Sequence, residues 1–392
     1  MKDLLSLDLQ GKKVLMRVDF NVVFNTDGSL LDDFRITKVI PTIDFLLGKG
    51  ASQIILISHL GRPKLEDKNN PDFSLKRISE YLGEKMKRKV NFFSDDCEKE
   101  TDILKEKISA IPSNSLCMLE NIRFYLGEEE NDEEFAQKLA SLADIYINEA
   151  FSVSHREAAS LCAITKLLPS YPGLLMLKEK ENLDKIMLRQ DHPFIFVLGG
   201  AKIKDKLPLL EKFANSADVV LLGGGVANTF LKAKDLEIGK SYYEPEMISV
   251  AKDYLERFKN IVLPVDVKVK NIEGLTENKK SEFVLETDNI LDIGEATILD
   301  YNKIILSSLS LLFNGPMGKI EELDFRLGTE AVFKSIYENK KIYAILGGGE
   351  TVSSLNLSGE LLESENVFVS TGGGAMLSYL SGEKLPGLEA LN

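Results

Sequence analysis

Apolar runs rich in β-branched residues recur along this chain, with helix-favouring stretches between them. In the first half these runs are VLMRVDF (14–20), QIILISHL (53–60), SLCMLE (115–120) and DIYINEA (144–150). The second half adds FIFVLGG, DVVLLGGG, IVLPVDV, LLFNGPMG, IYAILGGG and VFVSTGGG. Because the runs are apolar on both faces, they predict parallel strands with helices packed on both sides of each sheet. The predicted fold class is therefore α/β.

The length of the chain indicates two domains. Its 392 residues exceed the roughly 250–300 residues that one hydrophobic core usually serves. Between the halves, LPSYPGLLMLKEKENLDKIMLRQ (168–190) starts with a Pro/Gly break and continues with helix-favouring residues. We predict a first domain over 1–170, a connecting helix that acts as a hinge over 171–190, and a second domain over 191–379. The tail, 380–392, is expected to pack back on the first domain.

Charge and composition narrow the possible partners. The net charge of −13 argues against a nucleic-acid surface or an anionic-membrane anchor but leaves small acidic ligands open. No stretch approaches the ~20 apolar residues that a membrane span needs, and the N-terminus lacks a long apolar region. We expect a cytoplasmic protein, with no nucleic acid and no membrane among its partners. Cys97, Cys117 and Cys162 lack metal-ligand spacing, so reduced thiols are expected.

Four of the predicted strands run into glycine clusters. These are FVLGGAK (196–202), VVLLGGG (219–225), YAILGGGET (343–351) and VFVSTGGG (367–374), all in the second half. The carboxyl ends of strands are where open α/β sheets bind ligands, and bare backbone amides there can approach a phosphate. The second half is therefore predicted to hold a phosphorylated ligand.

A lysine follows the first of these clusters directly. Lys202 comes after Gly199, Gly200 and Ala201, and it can place a mobile positive charge beside phosphates held by backbone amides. An exposed helix with solvated lysines is an equally open interpretation of this motif alone. Neither a Walker pattern nor a GxGxxG dinucleotide fingerprint is present. The nucleotide hypothesis therefore depends on several segments together.

The first half instead carries basic residues at or just after strand ends. They are Arg17 with Asp19 and Asn21, Arg35, His59 with Arg62, Arg123, and His155 with Arg156. The planar guanidinium fork binds carboxylate and phosphate in a bidentate manner. For any single arginine a solvated surface position is the commoner role, but the recurrence at strand ends favours a polyanion site. Guanidinium groups in one half and glycine amides with lysine in the other suit phosphoryl transfer, in which positioning and charge neutralisation carry most of the catalysis.

Taken in order, the segments RVDFN, SHLGRP, ENIRF, GGAKxxDK, LPVDV, NGPMG, GGGET and STGGGA resemble those of phosphoglycerate kinases along essentially the whole chain. The resemblance implies reversible phosphoryl transfer between 1,3-bisphosphoglycerate and ADP, giving 3-phosphoglycerate and ATP. It implies two doubly wound, Rossmann-like domains joined by a hinge helix, with the acid substrate on the first and the nucleotide on the second. It also implies Mg²⁺ bound with ATP or ADP, small-molecule partners and a monomer.

The same resemblance assigns site residues. Triose-phosphate contacts are implied for Asp19, Asn21, Arg35, His59, Arg62, Arg123 and Arg156. Catalytic roles are implied for Arg35, Lys202, Gly349 and Gly374. Nucleotide contacts are implied for Gly200, Ala201, Lys202, Lys206, Gly223, Gly224, Gly225, Asn314, Pro316, Glu321, Gly347, Gly348, Gly349, Glu350, Thr351, Gly372 and Gly373. Glu350 would also be the metal-binding carboxylate.

Several positions depart from the family pattern. Glu350 stands where the family has an aspartate, so its carboxylate has one methylene more of reach. Phe313, Glu295, Val23 and the segment FSVSHR differ as well, yet no charged group assigned to the reaction is lost. Two alternatives stay open: a non-catalytic relative that binds nucleotide on the same fold, for which Glu350 is the best support, and a dinucleotide-dependent oxidoreductase, which the missing GxGxxG spacing disfavours.

Overall fold

A computed structural model describes residues 4–188, 191–349, 351, 359–362 and 364–392. The chain divides into two compact units, the first formed by Met1–Lys180 with Glu383–Asn392 and the second by Glu181–Gly382. Helix Leu174–Leu188 carries the chain from the first unit into the second. Among the described residues, no helix has the length and apolar character to cross a membrane.

The first unit is built on a six-stranded parallel sheet. Its strands are β1 (Lys13–Arg17), β2 (Gln53–Ile57), β3 (Val90–Phe93), β4 (Ser115–Leu119), β5 (Ile145–Asn148) and β6 (Ser170–Pro172), in the order β3-β4-β2-β1-β5-β6. Its helices before residue 174 are Phe34–Gly48, Lys76–Met86, Thr101–Ala110, Leu126–Glu129 and Glu133–Ala140. Every residue of β2 is buried, as expected of a strand covered on both faces. Since all strands are parallel, the segments that follow them meet at one edge.

The second unit has a six-stranded parallel sheet and a smaller antiparallel one. The parallel sheet has the order β15-β14-β13-β7-β8-β9, from β7 (Phe194–Leu198), β8 (Val219–Leu222), β9 (Ile261–Val262), β13 (Ser310–Asn314), β14 (Tyr343–Gly347) and β15 (Val367–Val369). The antiparallel sheet has the order β11-β10-β12, from β10 (Asp266–Lys270), β11 (Thr276–Lys280) and β12 (Asn289–Ile293). Helices are Leu207–Ala214, Gly224–Ala233, Ile248–Arg257, Glu295–Leu306, Leu327–Glu338, Gly359–Leu362 and Gly373–Ser381. The chain leaves β7 for β8 on one side and returns to β13 on the other, which makes the β7 end a topological switch point.

The α/β prediction is confirmed, and its errors are local. The run IVLPVDV is two strands rather than one, because Pro264 lacks an amide donor and separates β9 from β10, which pair in different sheets. Strand β6 lies inside the segment that was predicted as a Pro/Gly break. It is a short strand at the edge of the sheet, where a proline costs no ladder hydrogen bond. Strand β11 was not predicted, because its residues are polar and form no apolar run.

A buried carboxylate fixes the start of helix Leu174–Leu188. Glu149, just after β5, accepts hydrogen bonds from the amides of Leu175 (3.0 Å) and Met176 (3.1 Å) and from the Thr42 hydroxyl. At Gly173 a methyl group would lie only 1.9 Å from Oε2 of Glu149, so this position requires glycine. Burial raises the pKa of Glu149 to about 7 against the lowering effect of these hydrogen bonds.

The segment Glu383–Asn392 completes the first unit. The Gly387 amide donates to the Ser154 carbonyl at 2.9 Å, and the Asn148 side chain donates to the Gly387 carbonyl at 3.4 Å. Leu385, Leu388 and Leu391 are buried. Short helix Pro386–Glu389 is therefore held by both apolar packing and hydrogen bonds.

Candidate ligand-binding sites

The first candidate site lies at the carboxyl edge of the first unit's sheet. Asp19 follows β1, His59 follows β2, Arg123 follows β4 and Arg156 follows β5. Strands β4, β2, β1 and β5 are consecutive neighbours in the sheet, so the parallel register carries all four residues to one edge. The parallel register thus places these four predicted site residues at one sheet edge.

Asp19 is the anionic centre of this edge. Its Oδ2 accepts hydrogen bonds from Nη1 of Arg35 and from the Ser152 hydroxyl, and its Oδ1 accepts from the Asn21 amide at 3.0 Å. Burial by itself would raise the pKa of Asp19. The Arg35 charge and these hydrogen bonds outweigh burial and hold the pKa at about 2. Asp19 is therefore ionised at neutral pH and keeps Arg35 oriented.

His59 is a neutral donor beside this pair. Burial holds its pKa well below the usual range, and the surrounding arginines add to the effect. Nη2 of Arg17 lies 3.3 Å from Nδ1 of His59. Because guanidinium can only donate, we assign Nδ1 as the acceptor and Nε2 as the protonated nitrogen. The Nε2–H group is then available to a ligand oxygen.

Arginines line a small cavity at the same edge. Arg17, Arg123 and Arg156 share a cavity of about 280 Å³ with Glu128, Glu129, Val153, Glu157, Ala158 and Leu161. Burial, with the charges of Arg156 and Arg17, lowers the pKa of Arg123 to about 10. One guanidinium N–H of Arg123 donates to the Gly61 carbonyl at 2.7 Å, and the Gly61 amide donates to the Asn21 side chain at 2.8 Å. The cavity thus brings three guanidinium groups together beside three glutamates, and a guanidinium fork that is not fully paired can bind an anion.

Arg62 does not join these contacts. It is exposed, and its side chain forms no hydrogen bond or ion pair with the part of the chain that the structure describes. Two residues that the candidate set had omitted take part instead: Ser152, which donates to Asp19, and Glu128, whose carboxylate accepts from the Ser160 hydroxyl at 2.6 Å while that hydroxyl accepts from Arg17. Single serine and glutamate residues give no motif by which sequence reasoning finds them.

The second candidate site lies at the carboxyl ends of β7, β8 and β13. The Gly200 amide donates to the Pro316 carbonyl at 2.7 Å, and the Gly224 amide donates to the Met317 carbonyl at 2.8 Å. A methyl group at Gly199 would lie 2.2 Å from the Pro316 carbonyl oxygen. Bare backbone at these glycines therefore allows three strand ends to approach one another at the switch point.

A cavity of about 850 Å³ opens at these strand ends. Its volume is in the range of small-molecule and cofactor sites. Seven of the predicted nucleotide residues line it: Gly200, Ala201, Gly224, Gly225, Pro316, Glu321 and Gly349. Lining residues that sequence reasoning missed include Asn228, Lys240, Tyr242, Asn289, Ile290, Leu291, Asp292, Met317 and Ile320. Four of these nine, Asn289 to Asp292, belong to β12 of the antiparallel sheet, which contains no glycine motif.

The two predicted lysines differ in their surroundings. Lys202 is exposed, and its ammonium forms no hydrogen bond or ion pair with any residue in the described ranges. Lys206 donates through Nζ to the Gly199 carbonyl at 2.6 Å, which fixes it at the end of β7. Gly223 lies between β8 and the helix Gly224–Ala233, and its amide donates to the Leu198 carbonyl at 3.0 Å. Lys202 is thus the cation with freedom to follow a ligand.

A hydrogen-bond chain links β13 to β14. Nδ2 of Asn314 donates to the Gly347 carbonyl at 2.9 Å, and the Thr351 hydroxyl donates to the same carbonyl at 2.7 Å. The Gly315 amide donates to the Thr351 hydroxyl oxygen at 2.9 Å. Asn314 and Thr351 are buried, so in this structure they position the backbone rather than face the cavity.

Two glycines of the last two clusters, Gly349 and Gly373, have open space on the side where a side chain would lie. No atom lies within 4 Å of a methyl group placed on Gly349 or Gly373, and Gly348 and Gly373 have the positive φ values of 107° and 51°. Gly372 is the N-cap of helix Gly373–Ser381, with Gly374 in its first turn. Amides at a helix start can face an anion. Glu350 lies outside the described residues.

The described residues contain no group of three or more histidine, cysteine, aspartate or glutamate side chains able to hold a metal ion. Magnesium usually binds through substrate phosphates with one or two carboxylates rather than in an all-protein cage. A magnesium ion bound mainly through phosphates needs only one protein carboxylate, and Glu350 is the one that the sequence predicts.

Comparison with known proteins gives a consistent result. Residues 2–383 match the family model described as phosphoglycerate kinase. A phosphoglycerate kinase from Wolbachia sp. subsp. Drosophila simulans is 42% identical over 393 residues, covering 98% of this chain and 96% of that protein. One from Dictyoglomus turgidum is 42% identical over 397 residues, covering 99% and 98%.

Solved structures agree with the sequence matches. The phosphoglycerate kinase of Pyrococcus horikoshii OT3 superposes with a TM-score of 0.88 at 32% identity, covering 100% of this chain and 98% of that chain. The structure from Coxiella burnetii gives a TM-score of 0.83 at 33% identity, covering 99% and 98%.

Proposed function

This chain belongs to the phosphoglycerate kinase family, and we propose that it transfers a phosphoryl group reversibly between 1,3-bisphosphoglycerate and ADP, giving 3-phosphoglycerate and ATP. ATP and ADP are the co-substrates that this family membership implies. The division of chemistry between the two units carries the proposal. The first unit gathers guanidinium groups at one sheet edge, and the second offers glycine amides beside a large cavity.

The acid substrate binds at the sheet edge of the first unit in this proposal. Arg123 and Arg156 neutralise its phosphate, since they share one cavity and Arg123 keeps N–H groups beyond the one that Gly61 accepts. Arg62, exposed at the same edge, closes on that phosphate when the ligand is present. Asn21 and His59 donate to the oxygens at the other end of the substrate, while ionised Asp19 accepts from its hydroxyl.

The nucleotide binds in the 850 Å³ cavity of the second unit. The glycines at the ends of β7 and β8 make room for it, and Glu321 accepts from the ribose hydroxyls. Lys206, held by the Gly199 carbonyl, meets the nucleotide phosphates near the β7 end. Gly373 and Gly374, in the first turn of helix Gly373–Ser381, supply backbone amides to the transferring group together with Gly349 at the cavity wall.

Arg35 and Lys202 act on the phosphoryl group itself. Lys202 has no competing partner within the described chain, so its ammonium can follow the phosphoryl group from one oxygen to the other. Arg35, oriented by Asp19, neutralises the charge on the equatorial oxygens during in-line transfer. Glu350 would be the protein carboxylate for Mg²⁺, which would supply further charge neutralisation when bound with the nucleotide. The units close about the connecting segment for the transfer, which expels water and strengthens these contacts.

One coupled assay tests the proposal. The intact chain is mixed with 1,3-bisphosphoglycerate, ADP and Mg²⁺, and ATP formation is followed with luciferase. The Lys202→Ala variant, which lacks the ammonium group assigned to the transfer, is the control. ATP formation by the wild-type chain that falls strongly in the variant supports the kinase. Nucleotide binding without transfer by the wild-type chain would instead identify a non-catalytic relative. NAD-linked turnover without added kinase would favour the oxidoreductase. We also propose a cytoplasmic monomer, which size-exclusion chromatography with light scattering tests for the oligomeric state.

A further inference from the structure

The Ser152 hydroxyl donates to Oδ2 of Asp19, and the proposed function gives this contact no role. The two residues meet because β1 and β5 pair in parallel, and Asp19 and Ser152 lie just beyond the carboxyl ends of these strands. Both side chains are buried. Ser152 belongs to FSVSHR, a segment in which this chain departs from the family pattern. The contact is therefore made by a part of the sequence in which this chain differs from that pattern.

The backbone around Ser152 is fixed. A short 3₁₀-helix, Phe151–Val153, carries the residue. The amide of the last residue in this helix donates to the Ala150 carbonyl at 3.2 Å, and the Ser154 amide donates to the carbonyl of the first residue at 3.0 Å. Hydrogen bonds on both sides of Ser152 therefore hold its hydroxyl in place as a donor to Asp19.

The hydrogen bonds to Asp19 fill its two carboxylate oxygens unequally. Each oxygen has about two acceptor positions. Oδ2 accepts from Arg35 and from Ser152, so both of its positions are used. Among the described residues, Oδ1 has a single donor, the Asn21 amide at 3.0 Å, and it lies 3.8 Å from Nδ1 of His59. The acceptor position left for a ligand is therefore on Oδ1, beside the His59 ring.

We propose that Ser152 is a positioning residue for the acid substrate: by filling Oδ2 of Asp19, it directs the substrate hydroxyl to Oδ1. The inference rests on the proposed function, in which Asp19 accepts from that hydroxyl. Without the Ser152 hydroxyl, Oδ2 would offer a competing acceptor position beside Arg35, and the carboxylate would lose one of the bonds that fix its plane. The site would then gain less binding energy from the substrate hydroxyl.

The experiment measures what the substrate hydroxyl contributes to binding, with and without the Ser152 hydroxyl. The two ligands are 3-phosphoglycerate and 3-phosphonooxypropanoate, which has hydrogen in place of the hydroxyl and keeps both charged ends. Ser152→Ala and Ser152→Gly both remove the protein hydroxyl. Ser154→Ala is the matched control, at a buried serine of the same segment whose hydroxyl donates to the Ala150 carbonyl at 3.3 Å. Isothermal titration calorimetry on the intact chain and each variant gives the ratio of the two dissociation constants.

In the wild-type chain we expect the hydroxyl to strengthen binding roughly tenfold to a hundredfold, since it donates to a charged acceptor. This ratio should fall about threefold to tenfold in both Ser152 variants and stay at the wild-type value in Ser154→Ala. A purely structural role of Ser152 would weaken both ligands by the same factor. A ratio that is unchanged, or that rises, in the Ser152 variants would therefore overturn the proposal.

Phosphoryl transfer assayed on the same proteins separates this inference from the proposed function. If the wild-type chain binds 3-phosphoglycerate but transfers no phosphoryl group, the proposed function fails, and the binding ratios still decide the role of Ser152. If the wild-type chain transfers the phosphoryl group but binds both ligands equally well, Asp19 does not accept from the hydroxyl. The positioning proposal then fails while the proposed function stands.

Discussion

Asp19 and Arg35 form a hydrogen-bonded ion pair in which the carboxylate is nearly buried while the guanidinium keeps about a quarter of its side chain exposed (8% and 24%). The buried partner is ionised, since Arg35 and its hydrogen bonds hold the pKa of Asp19 at about 2 in spite of burial. The exposed N–H groups of Arg35 can therefore contact a ligand while Asp19 stays bonded to the same guanidinium. Arg35 can therefore present its positive charge to a ligand in an orientation that Asp19 fixes.

Replacing Arg35 with alanine is expected to act on turnover. Loss of one transition-state donor typically lowers kcat about a hundredfold to a thousandfold, and KM for 3-phosphoglycerate should change much less. Steady-state kinetics in the ATP-consuming direction measures both. Arg88→Ala, at a partly exposed arginine that donates to Asn114, is the control. A kcat within twofold of wild type would remove Arg35 from the reaction.

Lys202→Ala should likewise reduce kcat about a hundredfold or more, because its unpaired ammonium is the mobile charge at the β7 end. Affinity for ADP should fall only slightly, as measured by calorimetry. Lys204→Ala removes the same charge from an exposed position two residues further on. Equal losses in the two variants would indicate a general electrostatic effect and contradict the specific role.

Arg123→Ala is expected to weaken the acid substrate rather than slow the transfer. A hydrogen bond to a charged group contributes about 1.5–3 kcal/mol, so KM for 3-phosphoglycerate should rise roughly tenfold to a hundredfold. The kcat at saturating substrate should stay within a few fold. An unchanged KM would mean that the cavity shared by Arg17, Arg123 and Arg156 does not hold the substrate phosphate.

Glu149 should make stability depend on pH in an unusual direction. Burial raises its folded pKa from 4.5 to about 7, so the folded state keeps a proton that the unfolded state releases. Its contribution is therefore fully present below about pH 4.5 and is lost as pH rises through about 7, a change on the order of 3 kcal/mol. Nearby Glu179 raises this pKa further.

Urea unfolding followed by far-UV circular dichroism at pH 4.5 and pH 8 measures this effect. In Glu149→Gln the loss of stability between these two pH values should shrink by roughly 3 kcal/mol, whatever the absolute stability of the variant. Glu130→Gln, at an exposed glutamate, provides the comparison. If Glu149→Gln and Glu130→Gln show the same pH dependence, the buried carboxylate does not titrate in this range.

Glu350→Asp tests the departure from the family pattern. Magnesium tolerates little deviation from octahedral geometry, so the side-chain length at this position should affect metal use. We expect the aspartate variant to reach half-maximal activity at a lower Mg²⁺ concentration than the wild-type chain. Titration of activity with Mg²⁺ at fixed ADP measures this, with Glu365→Asp as the control. An unaltered requirement would show that the extra methylene is accommodated.

Local sequence predicted the strand ends and the residues placed there, because parallel strands deliver the segments that follow them to one edge. Asp19 and His59 could be located in this way. Ser152, the hydrogen-bond partner of Asp19, could not, since this contact joins positions 133 residues apart and serine is too common to mark it. The same limit applies to Asn289, which lines the cavity from β12 of the antiparallel sheet, and to Lys240, which lies in the connection before helix Ile248–Arg257. Contacts between segments that are distant in the sequence determine where these residues lie, and local sequence does not reveal such contacts.

The hydrogen bond from the Gly387 amide to the Ser154 carbonyl has a consequence for the order in which the two units complete their folding. Residues 383–392 complete the first unit, yet they leave the ribosome only after the entire second unit has been synthesised. Until then the first unit lacks the apolar contacts of Leu385, Leu388 and Leu391. During translation the second unit can therefore finish folding before the first, although the first is made earlier.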